Sequence, residues 1–251
     1  FGNVTKNIND GSNAKFKTID ITVEERATGE ISAGAGTGTS GSTLSFAIRE
    51  NNYMGTGVKL NTQISVSDTG IRGVFSTDNP NYKNTNKSLF TRLEATQVDQ
   101  MKKFGYKSSK TGFSLGTSFE QYNDFFLSPS ISTYYETIDT SSNASDTKKK
   151  QKGNYFETLF SYGLTVNKLN QNFQPSDGYR TTFKQTIPLY SADDVTFRHS
   201  LNMEKYFTYA DDLVFSANFF AEAVNSIDED VRISKRVFLP SRKLRGFTPG
   251  K

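Results

Sequence analysis

The sequence predicts an all-β protein whose antiparallel strands form a transmembrane β-barrel. The first observation is a regular alternation of apolar and polar residues, which is typical of strands with one wet face. The second is the length of several of these runs, about nine to eleven residues, which a tilted strand needs to cross a bilayer. The third is composition, because 13% of the residues are aromatic and only 6 of 251 are Pro.

The alternation is clearest from Val58 to Ser67, where apolar residues and Thr62 share one face and polar residues share the other. The same period of two recurs at residues 44–49, 89–96, 113–120, 156–167, 195–204 and 213–222. Strands of soluble proteins are more often about five or six residues long. The pattern therefore favours a membrane barrel, with a soluble β-sandwich or repeat array as the alternative.

The connections between the predicted strands differ in length. Short turns rich in Asn, Asp, Gly and Pro are expected near residues 51–57, 78–81, 123–124, 175–178 and 210–212. Longer polar loops are expected at residues 140–153 and 225–251. Short turns on one rim and long loops on the other are typical of outer-membrane barrels. We interpret the basic run at residues 148–152, inside the first long loop, as solvated.

The composition excludes several kinds of chemistry. The chain contains no Cys, which excludes disulfides, thiol nucleophiles and thiolate-bound metals within it. His199 is the single histidine, so a multi-histidine metal site is excluded. The net charge of +4 is too small and too scattered to favour nucleic acid as a partner. No apolar run approaches the roughly 18 residues of a membrane-spanning helix. We expect no enzyme, no catalytic residues, no metal and no cofactor.

We assign no function to two local motifs, because the residues around them do not fit one. Residues 36–41 read Gly-Thr-Gly-Thr-Ser-Gly and match the dinucleotide-binding fingerprint in letters. That fingerprint needs a helix after it to hold the pyrophosphate, whereas the residues that follow, 44–48, have the pattern of a strand. The acidic run Asp228-Glu229-Asp230 is interpreted as a solvated loop.

The first predicted barrel strand is unusually rich in small residues. Glycine within a strand weakens pairing and removes packing side chains. One interpretation is a bend or bulge of the barrel, and the other is a weak strand at a barrel seam. The candidate seam residues are Gly29, Ile31, Ala33, Gly34, Ala35, Gly36 and Gly38.

Residues 1–26 differ from the remainder. A turn at residues 10–13 separates two short apolar runs, which predicts a hairpin from the end of a small soluble domain. The barrel is then expected over residues 27–251. The start at Phe1 and the loop-like end at Lys251 lead us to expect a piece of a longer protein.

Several segments, in the family's order, resemble the BamA family of outer-membrane β-barrel assembly proteins. Residues 16–26 resemble the last strand of the final POTRA domain, and residues 28–36 resemble the first barrel strand. The turns at 50–57 and 77–82 and the segment 167–178 resemble further parts of the barrel. Leu244-Arg245-Gly246-Phe247 resembles the Val-Arg-Gly-Phe motif of the sixth extracellular loop. The chain departs from the family at Leu244, where Val is usual, and at residues 239–241, where a glycine pair is usual.

The resemblance implies a barrel of about 16 strands, of which the runs in this chain supply about eleven or twelve. The barrel is therefore expected to be incomplete as supplied, with residues 1–26 as the remnant of the last POTRA domain and residues 27–251 ending in the sixth extracellular loop. In the family this loop folds back into the lumen. By resemblance Arg245 pairs with carboxylates of later strands, Gly246 permits close approach, and Phe247 packs.

The implied function is an outer-membrane assembly factor that folds and inserts β-barrel proteins through a weak seam. The implied location is the bacterial outer membrane, with the N-terminal remnant in the periplasm. The implied partners are unfolded outer-membrane protein clients, accessory lipoproteins, periplasmic chaperones and outer-membrane lipid. Alternatives are a related POTRA-barrel transporter of the two-partner secretion or TamA-like type, a passive porin, and a soluble β-sandwich.

Overall fold

The computed structural model describes residues 2–13, 15–38, 41–191, 195–227 and 230–237. Two strands at the N-terminus, β1 (Asn3–Asp10) and β2 (Lys17–Glu24), pair as a hairpin. Eleven strands follow in one sheet: β3 (Gly29–Gly38), β4 (Gly41–Tyr53), β5 (Val58–Ser67), β6 (Gly70–Asn79), β7 (Ser88–Gln100), β8 (Tyr106–Tyr122), β9 (Phe125–Thr140), β10 (Gly153–Asn167), β11 (Gly178–Ser191), β12 (Thr196–Ala210) and β13 (Leu213–Ser226).

Every strand of the sheet is antiparallel to its neighbour in sequence, so the order runs from β3 to β13 without a crossover. The helical segments of the described chain are single turns: α1 (Met101–Phe104), α2 (Asp146–Lys149) and 3-10 turns at Tyr82–Asn84 and Ile233–Lys235. Within these residues no helix has the length and apolar character to cross a membrane. The predicted fold class and strand number are confirmed. Within the described part of the chain, no pairing joins β3 to β13.

Large apolar side chains lie on the outer surface of the sheet. Ile31, Leu44, Leu93, Ile131 and Phe219 each keep about half or more of their surface exposed. The largest fully buried side chains of the described residues are Ile138, Glu136 and Glu157, two of which are acidic. A soluble sandwich would bury its apolar face, so this distribution contradicts that alternative and fits a barrel with a polar interior.

The registers between strands make the apolar surface continuous. Leu44 lies opposite Val66, which lies opposite Ile71 on the next strand. Further along, Leu93 lies opposite Phe113. Because successive side chains alternate between faces, a one-residue slip in any pair would turn an apolar set inward. The register is therefore fixed by the contrast between the two sides of the sheet.

The predicted turns near residues 51–57, 78–81, 123–124, 175–178 and 210–212 all lie on one rim, and the predicted loop at 140–153 lies on the other, but the contrast in length is not a general rule. The rim with residues 68–69, 101–105 and 141–152, here called the loop rim, includes a two-residue turn. The opposite rim, called the turn rim, includes the long connection 168–177. Asn170 orders this connection, because its Oδ1 accepts hydrogen bonds from the backbone N–H groups of Ser176 (3.2 Å) and Asp177 (3.3 Å).

The N-terminal hairpin has the predicted position. Its register is regular from Asn3, opposite Glu24, to Asp10, opposite Lys17. All its strand residues are exposed. A two-stranded hairpin of this kind is at best marginally stable alone. Its assignment to a POTRA domain stays a prediction.

Two neighbouring residues at the middle of β12 allow a test of which face of the sheet meets lipid and which face meets the lumen. Met203, which lies opposite Phe219, is on the apolar side, whereas Asn202 is on the polar side. We expect Met203→Arg to lower the free energy of unfolding in liposomes by about 2–4 kcal/mol, because the charge enters hydrocarbon near the midplane. Asn202→Arg is the matched control and should cost much less. Equal losses in urea titrations would contradict the assignment.

Candidate functional site

The first candidate site is β3, the strand at which the sheet begins. This strand pairs with β4 from Gly29, opposite Glu50, to Gly38, opposite Gly41. No strand within the described residues pairs with its other side. An edge of this kind presents a row of backbone N–H and C=O groups that another strand can pair with.

The predicted seam residues divide between the two faces of β3. Ile31, Ala33 and Ala35 lie opposite Ile48, Phe46 and Leu44 on the apolar side. Gly34 lies opposite Ser45 and Gly36 opposite Thr43, both on the polar side. The strand therefore continues the lipid-facing pattern with smaller side chains. Gly29 and Gly38 are its terminal residues.

Not every glycine of β3 is required by a lack of room for a side chain. A Cβ atom at Gly36 would meet no atom within 4 Å, and one at Gly34 would approach Ser45 Oγ to 3.3 Å. Neither glycine has a positive φ. The β3–β4 register also runs without a shift, which excludes a bulge in this pair. A bend of the barrel and a weak strand at a seam both stay predictions for the glycine-rich strand.

The second candidate site is a cluster of charges inside the barrel. Glu136 on β9 and Glu157 on β10 are each 1% exposed. Arg232, in the segment after β13, is 3% exposed and places Nη1 3.2 Å from Glu136 Oε2. Its guanidinium lies over the Tyr155 ring, with Cζ 3.7 Å from the ring centroid. Burial of these charges is tolerated because each faces an opposite charge or an aromatic face.

Glu157 binds cations from two directions. Lys110 Nζ, on β8, lies 3.3 Å from Glu157 Oε1 and 4.0 Å from the centroid of the Tyr134 ring. Lys235 Nζ lies 2.5 Å from Glu157 Oε2. The first cation belongs to the barrel wall and the second to the segment after β13. The carboxylate thus ties this segment to the wall.

Hydrogen bonds place the same segment against the wall. The backbone N–H of Ile233 donates to Gln151 Oε1 at 2.8 Å. Ser234 Oγ donates to Glu136 Oε2 at 2.9 Å. Residues 230–237 therefore contact β9, β10 and the connection between them from inside the barrel.

Other charges on the inner face also form pairs, Arg92 with Glu94 within β7 and the other two pairs between neighbouring strands. Arg92 Nη2 lies 3.0 Å from Glu94 Oε2, and Arg198 Nε lies 2.5 Å from Glu222 Oε1. Arg180 pairs with Glu204 on the adjacent strand. The arginines of these pairs are at least one-third exposed, as in a hydrated interior. The described residues contain no cluster of three His, Cys, Asp or Glu that suits a metal ion.

The predicted loop motif Leu244-Arg245-Gly246-Phe247 lies outside the described residues, as do Asp228 and Glu229. Its roles stay predictions. Sequence reasoning missed Arg232, Lys235 and Glu136. The available signal was a charged residue at an inward position of a strand, such as Glu136, combined with two basic residues shortly after the last strand. Nothing in the sequence pairs residues 96 positions apart.

Comparisons with known proteins agree with this architecture. Residues 52–251 match the Omp85 superfamily domain. The outer membrane protein assembly factor BamA of Neorickettsia risticii is 24% identical over 245 residues, which is 91% of this chain and 31% of that protein. The crystal structure of Haemophilus ducreyi BamA lacking POTRA domains 1–3 superposes with a TM-score of 0.73 at 18% identity, over 91% of this chain and 47% of that one. CdiB from Escherichia coli superposes with a TM-score of 0.54 at 11% identity, over 87% and 45%.

The chain belongs to the Omp85 superfamily. The predicted resemblance to BamA and the predicted location as an integral β-barrel of the bacterial outer membrane are confirmed. The chain spans about a third of the length of its curated relative and about half of the solved structures.

The buried ion pairs of the interior should contribute more to the free energy of unfolding than the partly exposed pairs. We expect Glu157→Gln to destabilise the barrel by about 3 kcal/mol, because it leaves Lys110 and Lys235 beside a buried neutral group. Glu222→Gln, in a partly exposed pair, is the control and should cost less than about 1 kcal/mol. Chemical unfolding in liposomes measures both values. A Glu157 variant as stable as the control would show that the cluster is hydrated and energetically minor.

Proposed function

We propose that the chain is part of an outer-membrane assembly factor that folds and inserts β-barrel proteins through a weak seam beginning at β3. The observation that carries the proposal is a first sheet strand rich in glycine, with glycine at a position where a side chain would fit. The similarity to a protein named as a BamA assembly factor supports it. The clients are unfolded outer-membrane proteins.

A weakly paired β3 explains how such a factor can work without covalent chemistry. An incoming chain in extended form satisfies the N–H and C=O groups of β3 by adding a strand to the sheet. Pairing that is weak at this strand lets the client replace the barrel's own closing strand at low cost. The apolar side of β3, which includes Ile31, faces lipid. A client strand that pairs with β3 is therefore oriented with its own apolar residues toward lipid. We accordingly propose that the protein is not an enzyme and needs no cofactor.

The remaining assignments belong to the same proposal. Residues 1–26 are the end of a periplasmic POTRA domain and residues 27–251 belong to the barrel. Arg245, with Gly246 and Phe247, anchors the sixth extracellular loop in the lumen. Accessory lipoproteins and periplasmic chaperones deliver and hold clients. The protein contacts outer-membrane lipid and binds no nucleic acid.

The alternative of a protein-exporting transporter has weaker support. CdiB matches with a lower TM-score than BamA, and at 11% identity the likeness shows the fold alone. A passive porin needs no weak seam. The glycine-rich composition of β3 is therefore better explained by assembly.

Strengthening the seam strand should slow assembly. We expect Gly36→Thr in the complete protein to raise barrel stability by up to about 1 kcal/mol, because Thr favours strands, and to lower the rate of client insertion into liposomes. Gly163→Thr is the matched control: Gly163 faces the same side of β10, and a Cβ there meets Ser128 Cβ at an ordinary 3.6 Å. It lies between two paired strands, so its insertion rate should not fall. Equal insertion rates for the two variants would remove weak pairing of β3 from the mechanism.

A further inference from the structure

The positive charge of the chain is concentrated in two neighbouring connections of the loop rim. Residues 99–107, around α1, and residues 139–152, around α2, together contain seven Lys, three Asp and no Glu or Arg. Their net charge of +4 equals the net charge of the whole chain, so the charges of all other residues balance. The assembly proposal makes no use of these two connections, here called the basic rim.

The basic rim is one ordered unit. Lys148 Nζ donates to the Phe104 carbonyl at 2.8 Å, and the backbone N–H of Ser141 donates to the Gly105 carbonyl at 2.9 Å. Gly105 ends α1 with a φ of 72°, and a Cβ atom there would lie only 3.3 Å from Ala144 Cβ. The two connections therefore pack against each other and present their lysines from one surface.

Several charges of the basic rim are available to a ligand. Lys102, Lys103 and Lys150 are exposed, and in the part of the chain that the structure describes they form no ion pair. Lys152 lies 3.7 Å from Asp139, but its side chain stays 61% exposed. Exposed pairs of this kind are weak, so an anion of higher charge can compete with the carboxylate.

A row of aromatic side chains marks the edge of the apolar band directly below the basic rim. Tyr135 shares a face of β9 with Ile131 and lies opposite Phe156 on β10. The Phe156 ring lies 6.1 Å from the Tyr190 ring on β11. All three aromatic side chains are about half exposed. Because aromatic girdles lie at the membrane interfaces of outer-membrane barrels, the hydrocarbon is expected to end near this row.

This row places the basic rim at the height of the lipid headgroups. Asp139, which lies opposite Lys107 and pairs with Lys152, is four residues beyond Tyr135 on the same face. Four residues span about 13 Å along a strand, which a strand tilt of about 40° reduces to about 10 Å of height. A headgroup layer is about 5–8 Å thick, and a long lysine side chain can bend back toward it.

We propose that the basic rim binds the phosphate groups of anionic lipid headgroups in the outer leaflet. The loop rim faces that leaflet because β3 begins at the turn rim, next to the hairpin that lies on the periplasmic side. Lysine suits this role, since a compact charge on a flexible stem binds phosphates without a fixed geometry. The inference sharpens the proposed contact with outer-membrane lipid and rests on that orientation of the chain.

Local enrichment of anionic lipid tests the proposal in the complete protein with any other cysteines removed. This chain has no cysteine, so Asn154→Cys places one fluorophore on the face of β10 that Phe156 shares. The liposomes are phosphatidylcholine with a small share of nitroxide-labelled lipid, whose headgroup is either a phosphate monoester or phosphocholine. We expect the anionic lipid to quench about three-fold more strongly, because several lysines attract it to this surface. The excess should fall as salt is added.

Charge reversal separates the basic rim from a general attraction to the protein. Changing Lys102, Lys103 and Lys150 together to Glu should abolish the excess quenching, whereas changing the same three to Arg should keep it. The control makes an equal change in net charge within the N-terminal hairpin and should leave the excess unaltered. Its substitutions are Lys6→Glu, Lys15→Glu and Lys17→Glu.

The quenching measurement needs no client, so this proposal and the assembly proposal can fail independently. Heat-modifiable migration on gels confirms that each variant is folded. Equal quenching by the two lipids in the unaltered protein would overturn the proposal, and so would an excess that survives the reversal at the basic rim. An excess that inorganic phosphate abolishes at constant ionic strength would overturn it as well, because the ligand would then be free phosphate.

Discussion

The structure depends on one constraint: each strand must show an apolar side to lipid and a polar side to the lumen while all backbone groups between strands stay paired. In hydrocarbon an unpaired N–H or C=O group costs several kcal/mol. The antiparallel ladder from β3 to β13 meets this requirement along its interior strands. β3 is the first strand of this ladder, and it is the strand where we place the function.

The same constraint explains the charged interior. Inward positions cannot be apolar throughout without giving a wall that water wets poorly, and they cannot carry one sign of charge without repulsion. The wall therefore pairs charges between adjacent strands, as Arg198 does with Glu222. Glu136 and Glu157 also bind cations of the segment after β13. The segment after β13 completes this set, which links the loop to the wall by charge balance.

Much of the fold could be predicted from period-two alternation alone. The bounds of β5 coincide with the alternating run from Val58 to Ser67. The ends of longer strands could not be predicted so well, because β8 begins at Tyr106 and continues through the polar residues 107–112 before the apolar alternation starts. Those residues pair with neighbours above the apolar band, where side-chain polarity no longer distinguishes the two faces.

The sites were predictable to different extents. The proposed seam strand stands out in the sequence as a glycine-rich run, because glycine content is a local property of composition. The contact of Arg232 with Glu136 was not visible, because it depends on how a loop returns across a curved sheet. The rim asymmetry was predictable only in part, because the two-residue turn at 68–69 and the long connection 168–177 lie on the rims where the opposite length was expected.

The most direct measurement of the central claim is a scan of single cysteines through β5, from Leu60 to Val66, in the complete protein with any other cysteines removed and reconstituted in liposomes. Each site carries a small fluorophore that nitroxide-labelled lipid can quench. The account predicts strong quenching at residues 60, 62, 64 and 66, and weak quenching with ready access to water-soluble quencher at residues 61, 63 and 65. Uniform quenching, or the opposite alternation, would contradict it.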